Sequence, residues 1–326
     1  MPLRRRAQYL LYQLGIRRTI HGFGDRKHPS DITFLIPDSL GDIAVNASVT
    51  RHFRALFPDA RMTLITHPKY LAAAEFNPDY SAALAYDAEL CPLTPGEQSY
   101  RDEIRIARAL TPNMDVLFLC QPSAWCDALS ARHTMLELQN RLCGVEEGVR
   151  LMPRLTLPSQ AARRAKTFRA AHGGPAVFMT RQTFSFRLGP WHQEYCRDVA
   201  QWCVDRGVRV FDNSPEPVIR HRLCSAVGDL PLADAVAVAT MSDASVSVRS
   251  GFVDLVGFSR PELPQYVLYP DGNYRFSHLS WWEWCSVADM GVTGAAEASS
   301  PFRTGEEATA AATRTQEWLE GVLDGR

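Results

Sequence analysis

Apolar positions along the chain follow two alternating rhythms. Short apolar or β-branched runs at 32–36, 62–66, 82–86, 116–120, 176–180 and 208–211 predict buried strands. Stretches with apolar residues near helical spacing at 43–57, 71–76, 100–109, 127–142, 193–205 and 231–240 predict helices between them. A further run, 245–270, breaks at Arg249-Ser250-Gly251 into the apolar segment Phe252, Val253, Leu255, Val256 and Phe258. It resumes after Pro261 as a strand at 266–269, so the unit is strand, turn, helix, strand. Near the end, Thr304 stands three residues before Glu307, the spacing of a capping box, ahead of a helix carrying Trp318, Leu319 and Val322. Strand–helix alternation of this kind predicts parallel α/β sheets. Two prolines and a change of pattern at 151–159 predict a hinge, dividing the chain into domains 1–155 and 156–326 whose strand ends border a cleft.

Two loops carry candidate chemistry. Pro37-Asp38-Ser39-Leu40-Gly41-Asp42 lies at the carboxyl end of the first strand, where open parallel sheets bind ligands. Asp42 there is either a general base or the N-cap of a helix starting at Ile43, with Asp38 as the alternative base. The Arg249-Ser250-Gly251 turn opens a helix whose first N–H groups and dipole favour an anion, so Ser250 and Gly251 with Arg249 form a candidate diphosphate cradle. The alternative is an ordinary turn with Ser250 as N-cap and Arg249 solvated. The stretch 180–187 leaves the first strand of the second domain with Arg181, Thr183 and Arg187, and arginine suits phosphate through paired parallel hydrogen bonds. Asp254 either meets the hydroxyls of a ligand or lies on the polar side of its helix. Trp281, Trp282 and Trp284 either stack on a sugar or base, or pack the interior. His192 and His278 read as surface or supporting residues, and Asn213 as a turn former.

Composition removes several classes. At 326 residues and 46% hydrophobic the chain can build two cores, and a formal net charge of −1 argues against a nucleic-acid partner. The eight cysteines show no C-x-x-C pair and no zinc spacing, which predicts reduced structural thiols in a cytoplasmic protein and no metal site. No run approaches the length of a membrane span, and the N-terminus lacks a signal-peptide pattern. Residues 1–20 form a basic extension. Within 1–18, Tyr9, Leu10, Leu11 and Leu14 share a helical face flanked by five arginines, suited either to an anionic membrane surface or to solvent.

Ser39-Leu40-Gly41-Asp42 after a first strand, with Leu56-Phe57-Pro58-Asp59-Ala60 and Asn77-Pro78-Asp79 downstream, resembles the N-terminal signature of the bacterial ADP-heptose heptosyltransferases, glycosyltransferase family nine. The later turn, with 266–270 behind it, is similar to less characterised glycosyltransferases of surface-polysaccharide and lipopolysaccharide assembly. This resemblance implies a GT-B-like fold of two Rossmann-like domains. The N-terminal domain would take the acceptor along Ser39, Leu40 and Gly41, and the C-terminal domain the nucleotide sugar. It also implies a metal-independent, cofactor-free inverting transfer with Asp42 as base. Arg249 and Asp254 stand where those enzymes usually carry an acidic residue and a histidine, a departure that bears on the donor. The sequence therefore points to transfer of a sugar from a nucleotide-diphosphate sugar to a lipid-linked or cell-surface glycan hydroxyl. A sugar-nucleotide epimerase or hydrolase, a non-catalytic nucleotide- or glycan-binding protein, and a membrane-complex scaffold remain alternatives.

Overall fold

The computed structural model describes residues 29–37, 39–87, 100–119, 134–142, 150–181, 183, 189–272, 279–300 and 302–325. The basic segment 1–18, His278, Asp38 and Arg187 lie outside these. The chain divides into two compact units, one running to Leu155 and one formed by Thr156–Asn273 and Ser280–Arg326.

In the first unit, β1 (Asp31–Ile36), β2 (Arg61–Thr66), β3 (Ala82–Ala85) and β4 (Val116–Leu119) form a parallel sheet in the order β3-β2-β1-β4. Ile32, Phe34, Leu35 and Ile36 are all buried, as are Met62, Leu64 and Ile65. Such near-continuous apolar runs suit strands covered on both faces. The sequence predicts one helix from 43 to 57. The structure has two, α1 (Leu40–Val45) and α2 (Ala47–Leu56). Asn46 divides them: its side-chain amide donates to the Asp42 carbonyl at 2.7 Å, which its own backbone N–H also uses. The helix expected at 71–76 is a 3-10 helix, Pro68–Phe76, opened by the His67 ring accepting from the Lys69 N–H. Helices α3 (Tyr100–Leu110) and α4 (Met135–Leu142) complete the described part of this unit.

The second unit carries β5 (Ala176–Thr180), β6 (Arg209–Asp212), β7 (Cys224–Ala226), β8 (Ala244–Val248), β9 (Gln265–Tyr269) and β10 (Ala295–Ser299). They pair in parallel in the order β10-β9-β8-β5-β6-β7. The chain builds outward from β5 to one edge, then returns to β8 and builds toward the other. The topological switch point of the sheet therefore lies between β5 and β8, the place where open α/β sheets bind ligands.

Around this sheet run α5 (Ser159–His172), α6 (His192–Asp205), α7 (Leu232–Thr240), α8 (Gly251–Ser259), α9 (Trp281–Cys285) and α10 (Gly305–Asp324). Val177, Met179 and Val246 share one apolar core with Tyr195 and Val199 of α6 and with Ala308, Ala311 and Leu319 of α10. The Tyr195 hydroxyl meets Thr315 Oγ1 at 3.1 Å, tying the two helices. Phe178, pointing the other way from its strand, stacks on Phe252 of α8 with ring centroids 5.6 Å apart. The predicted capping box of Thr304 and Glu307 opens α10. Among the described residues no helix is long and apolar enough to cross a membrane.

Of the surface and supporting places expected for His192, the structure gives an interior one. Its ring lies against Phe302 at 5.3 Å, with Cys196 Sγ 3.4 Å from Nε2. Burial, reinforced by the Arg181 charge, pushes its pKa down to about 4 from 6.5. The ring is therefore neutral in the fold through a range where the unfolded chain would protonate it, and the unfolded state gains protons as pH falls. Stability from this group is fully present above about pH 6.5 and is lost as pH drops through about 4, by roughly 3 kcal/mol. Denaturant unfolding of the wild type and His192→Gln from pH 7 to 4 checks this: the variant's acid-dependent loss should be smaller by about that amount.

Candidate functional site

The Ser39–Asp42 loop begins at the carboxyl end of β1. Ser39, extended at φ −150°, caps α1: its Oγ accepts from the Asp42 N–H at 3.2 Å and donates to Asp42 Oδ2 at 2.7 Å. The helix starts at Leu40, so the cap is Ser39 and Asp42 falls in the first turn, where a carboxylate also meets the positive end of the backbone dipoles. Asp42 is 9% exposed, Gly41 is buried and Leu40 half-buried. The alternative of Asp42 as N-cap of a helix at Ile43 is corrected by this geometry.

At the switch point of the second unit the picture is denser. β8 ends at Val248, and Ser250, at φ −162°, leads into α8. Arg249 turns inward. Its Nη1 donates to Asp254 Oδ2 at 2.9 Å and to the Ser250 carbonyl at 2.8 Å, and its Nε to the Cys285 carbonyl at 3.0 Å. Both partners of the ion pair are buried, Arg249 at 5% exposure and Asp254 at 0%. Desolvation is the largest single effect and would weaken the guanidinium's hold on its proton, but Asp254, Cys285 and Tyr269 together outweigh it and keep Arg249 charged. Burial pushes the Asp254 carboxyl up from its ordinary value, against the pull of Arg249. Asp254 thus lies on the inner side of α8 rather than its polar side, and Arg249 is a strut beneath the turn rather than an open cation. The physical reason is proximity: the first turn of α8 brings Asp254 over the guanidinium, and a buried charge needs a partner.

Arg181, just past β5, is likewise drawn inward. Its Nε lies 3.0 and 2.9 Å from the two oxygens of Asp212, which is fully buried at the end of β6. Its remaining nitrogens donate to Gln193 Oε1 at 2.9 Å and the Glu216 carbonyl at 2.7 Å. Asp212 Oδ2 also accepts from the Val218 N–H at 2.7 Å. Thr183 is half-buried two residues beyond Arg181. Arg181 and Arg249, candidate phosphate contacts from the sequence, each form a net-neutral internal pair that fixes the backbone at a strand end.

What those strand ends do leave open is hydroxyl groups. Ser214 Oγ after β6, Thr180 Oγ1 at the end of β5 and Ser250 Oγ after β8 are buried, and none has a hydrogen-bond partner among the described residues. Buried polar groups are nearly always bonded, so three on consecutive strands at one end of the sheet make it a candidate site for a polar ligand. Orphan polar atoms also occur away from that edge, at Ser245 and Gln265. The N-terminus of α8 adds its N–H groups beside Ser250. Thr180 opens the candidate stretch 180–187, whereas Ser214 is not a candidate from the sequence. A small hydroxyl residue at a strand terminus was the available signal, and it is a common one.

Among the described residues no group of three His, Cys, Asp or Glu side chains is arranged to hold a metal ion. Cys196, Cys203, Cys224 and Cys285 are free, buried thiols, and burial raises the pKa of each, Cys203 to about 12 and Cys285 to about 11. They are inert packing groups.

No model of a protein family matches the sequence, and no curated protein matches it. Solved structures do. The glycosyl transferase family 9 protein of Veillonella parvula superposes with a TM-score of 0.63 at 14% identity, covering 89% of this chain and 98% of that one. This chain has its fold. The E. coli ADP-heptose lipopolysaccharide heptosyltransferase II aligns at 0.59 and 15% identity over 88% of this chain and 99% of its own. E. coli heptosyltransferase WaaC with ADP aligns at 0.57 and 14% over 90% and 99%. The resemblance stated from Ser39–Asp42 and its surroundings is thus matched at the level of the family 9, GT-B-like fold: two parallel-sheet units and a C-terminal helix.

The Arg249–Asp254 pair gives a stability prediction. Asp254→Ala leaves a buried guanidinium unpaired and should cost about 3–5 kcal/mol in denaturant unfolding, whereas the double change Arg249→Met with Asp254→Leu should cost far less. A loss under about 1 kcal/mol for Asp254→Ala would show that the pair is not holding the turn.

Proposed function

We propose that this protein is a glycosyltransferase that moves a sugar from a nucleotide-diphosphate sugar to a hydroxyl of a lipid-linked or cell-surface glycan, without a metal or other cofactor. The observation that carries the reading is the row of orphan hydroxyls at Ser214, Thr180 and Ser250 beside the α8 N-terminus. It is the kind of surface that accepts the oxygens of a diphosphate, and the family 9 fold supports the same assignment. In the transfer, the acceptor oxygen attacks the anomeric carbon as its proton passes to the Asp42 carboxylate. The bond from that carbon to the diphosphate oxygen breaks, and the nucleoside diphosphate leaves with the electron pair, its new charge met by Ser250, Thr180 and the N–H groups of α8. The displacement inverts the anomeric centre. Ser39 orients the base through its 2.7 Å hydrogen bond. Arg187 is a candidate cation for the phosphates, and Thr183 a further hydroxyl contact. Residues 1–18 would add a basic, peripheral contact with an anionic membrane bearing the acceptor.

A second reading, a non-catalytic nucleotide-binding protein, draws on the small exposure of Asp42. Turnover separates the two. With the donor and acceptor chosen by a thermal-shift screen, Asp42→Asn should lower the transfer rate by about a hundredfold or more while donor affinity stays within about twofold. Transfer retained within about tenfold would remove Asp42 as the base, and binding without any turnover by the wild type would favour the second reading.

A further inference from the structure

The strut beneath the α8 turn leads into a hydrogen-bond chain that ends at an exposed indole. The Cys285 carbonyl that takes Arg249 Nε also lies 3.2 Å from the Tyr269 hydroxyl, at the last residue of β9. That hydroxyl accepts from the Val287 N–H at 3.0 Å and bonds Glu297 Oε1. Glu297 in turn accepts from the Val287 N–H at 2.8 Å, from Ser286 Oγ at 2.7 Å and from Trp282 Nε1 at 3.1 Å. The Trp282 ring lies nearly parallel to Tyr269, 16° between planes with centroids 6.2 Å apart. Trp282 is nevertheless 39% exposed.

An exposed tryptophan held by its N–H and backed by a buried tyrosine is fixed in orientation before anything touches it, which lowers the entropy cost of stacking on its open surface. Its position is equally specific. Tyr269 is the carboxyl end of β9, the strand beside β8, and its hydroxyl shares the Cys285 carbonyl with Arg249, so the ring it supports is tied to the same end of the sheet as the Ser250 turn. Two residues past Tyr269, Asp271 pairs with Arg303 at 2.6 Å, and both side chains are exposed, so carboxylate and guanidinium groups border the same exit. A π surface beside hydrogen-bonding charged groups matches a pyranose, with its apolar C–H face and hydroxyl rim, better than it matches a phosphate.

We propose that Trp282 is the stacking platform for the sugar ring of a nucleotide sugar whose diphosphate sits at the Ser250 turn, and that Glu297 is its positioning residue. This rests on the glycosyltransferase reading above. The test is calorimetric affinity on the full chain for four pairs: ADP and ADP-glucose, UDP and UDP-glucose, GDP and GDP-mannose, dTDP and dTDP-glucose. For a pair that the wild type binds, Trp282→Ala should weaken the nucleotide sugar about three- to tenfold and leave the bare diphosphate within about twofold. Trp282→Phe should retain most of the affinity. Glu297→Gln should weaken only the nucleotide sugar, a split that a purely structural role would not produce. Equal loss on both members of a pair would mean that the ring meets the base or merely supports the fold, and would overturn the proposal. So would no loss. Failure of the wild type to bind any member of the four pairs would instead overturn the glycosyltransferase reading, and this inference with it.

Discussion

A guanidinium and a carboxylate buried side by side under the β8–α8 turn set the geometry on which the rest of the second unit's ligand edge depends. Removing both charges from water is costly, and only the 2.9 Å contact between Arg249 and Asp254, with the two carbonyls that Arg249 also holds, offsets that cost. Because the partners belong to the strand end and to the first turn of the helix, the turn has little freedom to rearrange. Ser250 is left with a buried hydroxyl that has no partner among the described residues. The same device recurs at β5, where Arg181 and Asp212 lock the neighbouring strand end beside Thr180. Rigid backbone and unsatisfied hydroxyls together make a preorganised polar edge, the condition under which hydrogen-bond donors act on developing charge without first reorganising.

This arrangement also separates two jobs that arginine is often asked to do together. Here the described arginines of the edge shape the site from inside, and attraction for an anion falls to helix N–H groups and hydroxyls. The distinction bears on the departure from the heptosyltransferase pattern. Arg249 and Asp254 stand where that pattern has an acidic residue and a histidine, and they pair through Asp254 Oδ2 at 2.9 Å, with Asp254 Oδ1 left unbonded among the described residues. A structural pair therefore occupies those two positions, and on the proposed reading a donor sugar's contacts lie elsewhere on the edge. Trp282, fixed through Glu297 and Tyr269, is the described group best placed to supply one.

Much of the fold was legible because buried parallel strands write continuous apolar runs, as at Ile32–Ile36 in β1 and Ala176–Thr180 in β5. What escaped had weak local signal. β10 is Ala-Ala-Glu-Ala-Ser and becomes a strand through its pairing with β9, and β7 is three residues long. α5 carries only Ala161 and Ala165 as buried anchors among arginines and lysine. In the site, the Ser39–Asp42 loop and the Ser250 turn were readable from their places after strands. The inward turn of Arg181 and Arg249 was not, because Asp212 lies 31 residues from Arg181 and nothing local announces the pairing. Asp254 was visible five residues from Arg249, yet an aspartate in the first turn of a helix has a polar, exposed reading that only the burial of α8 removes.

The central claim is that the Ser250 turn receives a diphosphate. Amide NMR of the isotopically labelled protein, titrated with a nucleoside and then with its diphosphate, tests it most directly. The account expects the backbone signals of Ser250, Gly251 and Phe252, and that of Thr180, to shift with the diphosphate and to remain still with the nucleoside. Diphosphate binding that leaves all four unmoved would contradict it.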